Sequence, residues 1–162
     1  MAKKRSKLKE IFNRFEIESI NLTPQAAGVV ISYTNWDQEA AWLMYVELLT
    51  RVTTQPLNDT GDEQSALNSI YKIFEVTREI LKSYGRKAFN FTKISVIILN
   101  QKIRPFTSKW HKLSTENAFV DVNQCDNFRQ ELEKLRSVLI AYTRLLADMA
   151  NVEDLTILEA NS

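Results

Sequence analysis

Hydrophobic positions recur along most of this chain at helical spacing. Phe128, Leu132, Leu135, Leu139, Tyr142, Leu146 and Met149 step alternately by four and three residues, the signature of a helix with one buried face. A helix over about 127–150 follows, capped by Asp126 or Asn127. Upstream, Val96, Leu99, Ile103, Phe106, Trp110 and Leu113 repeat in steps of three and four over about 88–114. This register runs through Pro105, which costs a helix interior about 3 kcal/mol or more. A kinked continuous helix therefore fits better than two separate ones.

The stretch before it repeats in the same way through Leu67, Ile70, Phe74, Thr77, Leu81 and Tyr84. Thr60 and Glu63 have the spacing of a capping box at its start, and Gly85 is placed to stop it. A first long helix begins near Trp36, with Thr34 or Asn35 as cap and Asp37 and Glu39 in an acidic first turn. Its apolar face is expected at Trp36, Ala40, Leu43 and Val46, joined by Trp42 and Leu49, and Pro56 ends it. Before that, Leu8, Ile11, Phe12 and Phe15 predict a short amphipathic helix with a basic outer face. Residues 22–34 form a connector punctuated by Pro24 and Gly28, with "VVISY" as an extended piece.

These elements predict an all-α protein: an antiparallel four-helix bundle with a short N-terminal helical appendage. The expected divisions are 1–35 (basic helix and connector), 36–152 (bundle) and 153–162 (acidic tail). Three glycines and three prolines in 162 residues are too few for a loop-rich all-β fold. The longest strongly apolar run, "ISVIIL", is too short to span a bilayer, so no membrane partner is expected. The basic start lacks an apolar run behind it, which points to a cytoplasmic protein. One cysteine, Cys125, and one histidine, His111, exclude an internal disulfide and a Cys/His metal site, and no cofactor motif is present.

Charge changes the picture more than composition does. Between residues 82 and 112 stand eight bases and no acid: Lys82, Arg86, Lys87, Lys93, Lys102, Arg104, Lys109 and Lys112. From 116 onward nine acids face four bases. The basic block is a candidate phosphate-contacting surface for RNA or DNA, against the simpler reading of a solvated face. Trp110 and Phe106 lie near it, but their phase assigns them to the core rather than to base stacking. Glu75, Glu79, Glu131 and Glu133 show no placement suited to paired acid–base chemistry; Glu75 and Glu79 are like charges one turn apart, beside Lys72 and Arg78.

Arg104 and His111 are seven residues apart, which puts them on one side of a helix together with Asn100 and Ser108. The Arg-x6-His spacing, on a small helical protein, resembles the signature of the HEPN superfamily. That resemblance implies a helical bundle and, in many members, a metal-independent endoribonuclease. His111 would then serve as general acid or base and Arg104 would hold the scissile phosphate. Pro105 departs from the polar residue common after the family's arginine, removing a hydrogen-bonding group there.

Three functions stay open. The first is a non-enzymatic interaction module, an adaptor or small subunit with a protein partner or a second copy of itself, in an assembly that is nucleic-acid-associated or defence-related. The second is a ribonuclease using Arg104 and His111. The third is sequence-independent nucleic-acid binding through the basic block.

Overall fold

The computed structural model describes residues 6–7, 30–51, 57 and 62–156. Their regular structure is helical apart from one short antiparallel pairing, in which β1 (Ser6–Lys7) lies beside β2 (Val30–Ile31). The helix expected at Leu8–Phe15 and the Pro24–Gly28 connector fall outside the described residues.

Helix α1 (Asn35–Leu49) begins with a reciprocal cap. The Thr34 hydroxyl accepts from the Asp37 amide at 3.1 Å, and the Asp37 carboxylate accepts from the Thr34 amide at 2.9 Å. Two of the amides that a helix start leaves unpaired are thereby satisfied. The buried face of α1 is Asp37, Ala40, Ala41, Met44, Tyr45 and Leu48. This corrects the face expected from the sequence: Trp36, Trp42, Leu43 and Val46 are exposed, and only Ala40 of that set is fully buried. The helix is apolar on both sides, so periodicity does not choose between them. Ala40 and Ala41 decide the matter, since their small side chains allow a close approach of helices. Pro56 lies outside the described residues, and α1 ends at Leu49.

Helix α2 (Glu63–Tyr84) buries Leu67, Ile70, Phe74 and Thr77 as the pattern requires, with Leu81 and Tyr84 half-buried. Its cap is Asp62, whose carboxylate accepts from the Ser65 amide at 2.9 Å and the Ser65 hydroxyl at 2.6 Å. Glu63 does not serve a capping box with Thr60, which lies outside the described residues; it accepts from Arg129 at 2.7 Å. Gly85 ends the helix in right-handed conformation (φ −58°), not in the left-handed form usual for a terminal glycine.

The third helical run is continuous through Pro105, as expected, but its form is specific. Helix α3 (Phe89–Ile98) passes into a π turn (Leu99–Ile103) and then into α4 (Arg104–Thr115). The wider turn, in which Arg104 donates to the Leu99 carbonyl, comes directly before the proline that has no N–H to give. It also inserts one extra residue. Buried positions run Phe91, Ile94, Ser95 and Ile98, continue with Leu99 and Ile103 at the two ends of the π turn, and resume at Phe106 and Trp110. Val96, assigned inward by an unbroken register, is consequently on the exposed side.

After Asn117 in left-handed conformation (φ 61°) and a 3-10 turn at Ala118–Val120, helix α5 spans Val122–Ala150. Asp121 caps it, five residues before the expected start at Asp126. Every member of the Phe128–Met149 stripe is buried. The most extensive helix pairing is α1 on α5, with α2 also against α1. Tyr142 of α5 and Ser95 of α3 share a 2.8 Å hydrogen bond in the interior, and burial pushes the Tyr142 phenol far above its ordinary range.

The chain after α5 folds back on α1. The Tyr45 hydroxyl donates to the Glu153 carbonyl at 3.2 Å and accepts from the Leu155 amide at 2.9 Å. Arg144 approaches Asp154 at 3.6 Å. The start of the acidic segment is thus part of the fold; residues 157–162 lie outside the described ones. No helix among the described residues is long and apolar enough to cross a membrane.

Candidate functional site

Arg104 opens α4 and His111 lies two turns along it, both exposed. Both side chains lean toward α2, and α2 receives them separately. Arg104 sits over the Phe74 ring, 5.2 Å from its centroid, and donates to the Asn100 side chain at 3.1 Å. His111 meets Tyr71 edge to face at 5.7 Å. Tyr71 and Phe74 are neighbours on one face of α2, their ring centroids 6.3 Å apart. The Tyr71 hydroxyl donates to the Thr107 carbonyl at 3.1 Å, fixing α2 to α4 between the two candidate residues. Partial burial raises the Tyr71 phenol above its usual range.

His111 lines a shallow pocket of about 420 Å³ with Gln64, Asn68, Tyr71, Ser114 and Thr115. Arg104 is not among the lining residues. The pocket has polar groups and an aromatic wall, but the guanidinium that would hold a phosphate faces the neighbouring turn. Sequence reasoning missed Tyr71 and Phe74, because only the docking of α2 on α4 brings them here.

The basic block does not share one face. Lys82, Arg86 and Lys93 are exposed around the α2–α3 junction, where Lys87 lies over the Trp36 ring at 4.3 Å. Lys102 and Lys109 turn instead toward α5. Lys112 is exposed in the last turn of α4. Arg104, on the α2 side, is separate from both groups. Phe106 and Trp110 are buried, with Trp110 against Phe128 at 5.1 Å and Phe119 at 6.0 Å, so they pack rather than stack on bases.

A second concavity, about 690 Å³, lies between the π turn and α4 on one side and α5 on the other. Its apolar lining is Pro105, Phe106, Leu135, Val138 and Ala141, with Lys102, Lys109 and Lys134 at the edge. Glu131, also in the lining, accepts from the Trp110 indole at 2.9 Å and pairs with Lys109. Burial would raise the Glu131 carboxyl, but these two donors and the nearby lysine charge outweigh it and hold the group below the usual carboxylate range. One signal for Glu131 existed in the sequence: a core tryptophan needs an acceptor for its N–H.

Cys125 is half-buried, its thiol 3.3 Å from the Phe119 carbonyl, and burial pushes its pKa up. The described residues contain no cluster of three or more metal-ligating side chains. Comparison of the chain with protein-family models, curated proteins and solved structures gives no match.

Proposed function

We propose that this protein is a non-enzymatic interaction module: an antiparallel four-helix bundle serving as an adaptor or small subunit of an intracellular assembly. The observation that carries this reading is the outer face of α1. Trp36 and Trp42 are each 44% exposed and Leu43 and Val46 each 39%, four large apolar residues on a single fifteen-residue helix. Clusters of exposed apolar residues rich in tryptophan are what protein contact surfaces present, whereas scattered single ones are ordinary.

The test is affinity capture of the tagged full chain after nuclease treatment, in parallel with Trp42→Glu/Val46→Glu. A stoichiometric protein, either another chain or a second copy of this one, that is lost with the folded double variant supports the reading. A chain that binds no protein, or that retains only RNA, overturns it.

A metal-independent ribonuclease is the second reading, favoured by the polar pocket that surrounds His111. Cleavage of RNA in EDTA that disappears with His111→Ala would put it first.

A further inference from the structure

We infer that the corner where α2 turns into α3 binds single-stranded nucleic acid without regard to sequence. A base stacks on Phe89, and Lys82, Arg86, Lys87 and Lys93 meet the phosphates around it. Surface and occupant both differ from those of the α1 contact, so neither depends on the other.

The corner is tightly built. Helix α2 ends at Tyr84 and α3 begins at Phe89, and the turn between them is closed by the Lys87 and Ala88 amides, which donate to the Tyr84 carbonyl at 2.9 and 2.8 Å. The Thr92 hydroxyl donates to the Gly85 carbonyl at 3.0 Å and holds the first turn of α3 against the end of α2. Lys82 in the last turn of α2, Arg86 and Lys87 in the connection, and Lys93 next to Thr92 are thereby gathered together.

All four bases are exposed, and none forms an ion pair among the described residues. Lys87 instead lies over the Trp36 ring, 4.3 Å from its centroid, and Trp36 leans on Tyr84 at 6.1 Å. Exposed acids stand only at the margins: Glu79 one turn before Lys82, and Glu39 one turn after Trp36. Asp37, buried below, already binds the Asn90 and Phe91 amides that open α3, so a phosphate meets side chains here rather than a free helix start. Like charges held together without counter-charges repel one another, and an anionic polymer relieves that repulsion.

Phe89 decides which polymer. It is 65% exposed, the most open aromatic ring among the described residues, and it contacts no other ring. Lys93 is one turn further along α3 and Lys87 two residues back, so cations flank the ring. An open ring between phosphate-binding side chains is how proteins take up unpaired bases, whose flat faces are free to stack. A duplex hides those faces. A lipid surface fits less well, because a membrane-lying helix inserts a broad apolar face, whereas here one ring stands open and Trp36 is covered by Lys87.

Fluorescence anisotropy of the full chain with labelled oligodeoxythymidylate tests this; the strand lacks the 2′-hydroxyl that metal-independent RNA cleavage needs, so nuclease activity cannot confuse the result. Wild type should bind it, more weakly as salt rises. Arg86→Gln/Lys93→Gln should weaken binding and flatten the slope of log affinity against log salt by about 0.7 for each base removed. Phe89→Ala should weaken binding about fivefold or more, the least that one stacked base contributes, while keeping the salt slope. Lys134→Gln, an equal loss of charge on α5, should change nothing. Circular dichroism confirms folding; if the double variant is unfolded, each single substitution takes its place. Wild type that does not bind the strand at low salt overturns the inference. So do folded corner variants that bind as wild type does, or an equal loss through Lys134→Gln. Tighter binding through the same residues to duplex DNA or to phosphatidylserine vesicles would give the corner a different occupant and overturn it too. If the strand binds through the corner while α1 captures no protein, the interaction reading fails and this inference stands.

Discussion

Asp37 and Asn90 are joined by two hydrogen bonds: one oxygen of the buried carboxylate accepts the Asn90 main-chain amide and the other its side-chain amide, each at 3.0 Å. The Phe91 amide adds a third at 3.0 Å. Ala88, the residue before α3, has no side chain able to cap it. Asp37 therefore closes the N-termini of two helices at once, its own and one more than fifty residues away in sequence. Asp37→Ala strands the buried Phe91 amide and the part-buried donors of Asn90 and Thr34, and a buried donor left unpaired costs about 1–3 kcal/mol. It should lower unfolding stability by about 3 kcal/mol or more in urea denaturation. A loss below about half a kcal/mol, the range of ordinary surface changes, would show that the shared cap is dispensable.

The contrast between α5 and α1 shows what the sequence makes legible. The α5 stripe from Phe128 to Met149 has a polar opposite face, so its spacing identifies the buried side without ambiguity. In α1, Trp36, Trp42, Leu43 and Val46 compete with Ala40, Ala41, Met44 and Leu48, and hydrophobicity alone favours the larger residues. Packing against α5 selects the smaller set. The π turn is hidden for a related reason: Pro105 marks the place of a disturbance but not its form, and Leu99 and Ile103 stay buried across it at ordinary helical spacing. At the candidate site, the common helix of Arg104 and His111 was readable from their seven-residue spacing. Their separation by Tyr71 and Phe74 was not, since it depends on a contact between helices far apart in sequence.

Leu139 is wholly buried at the middle of α5. Leu139→Ala should cost about 2–5 kcal/mol because the surrounding core closes only partly around the missing atoms. Calorimetry or urea denaturation reads this directly, and an unchanged melting temperature would contradict the assignment of that face.

Gly85 offers a different kind of prediction. Its backbone is right-handed, so φ alone does not demand glycine. Close approach does: a Cβ there would stand 2.5 Å from the Leu81 carbonyl oxygen, which is backbone and has little room to yield. Gly85→Ala should destabilise by about 1–3 kcal/mol, the usual cost of overpacking. The ordinary gain from replacing glycine with alanine in a helix would appear instead if the turn could relax.

Glu131 gives the protein an acid-sensitive contact between α4 and α5. Lys109 and Trp110 lower its folded pKa below the unfolded value of about 4.3. Its contribution is therefore fully present above that unfolded value and is lost as pH falls through the lower, folded one. Glu131→Gln should be less stable than wild type at neutral pH, and the difference should shrink as the solution is acidified through that window. Urea midpoints for both proteins from neutral pH downward measure it. A difference that stays constant with pH would mean that the carboxylate charge is not what matters.

Arg104 and His111 carry the sharpest test of chemistry against architecture. Both are exposed, and neither supplies a buried hydrogen bond, so Arg104→Ala and His111→Ala should each change stability by about half a kcal/mol or less. That leaves activity as a clean readout. On the interaction reading, purified wild-type protein does not cleave RNA in EDTA, and neither substitution affects capture through the α1 face. On the ribonuclease reading, wild type cleaves, and each substitution abolishes cleavage without altering the circular dichroism spectrum. The separation of the two side chains by Tyr71 and Phe74 adds a further arm. Tyr71→Ala removes the ring beside His111 and the hydrogen bond to Thr107, so it should disturb α2–α4 packing whichever reading holds. Cleavage surviving both Arg104→Ala and His111→Ala would assign any nuclease activity to other residues, and the Arg-x6-His spacing would then be ordinary helix geometry.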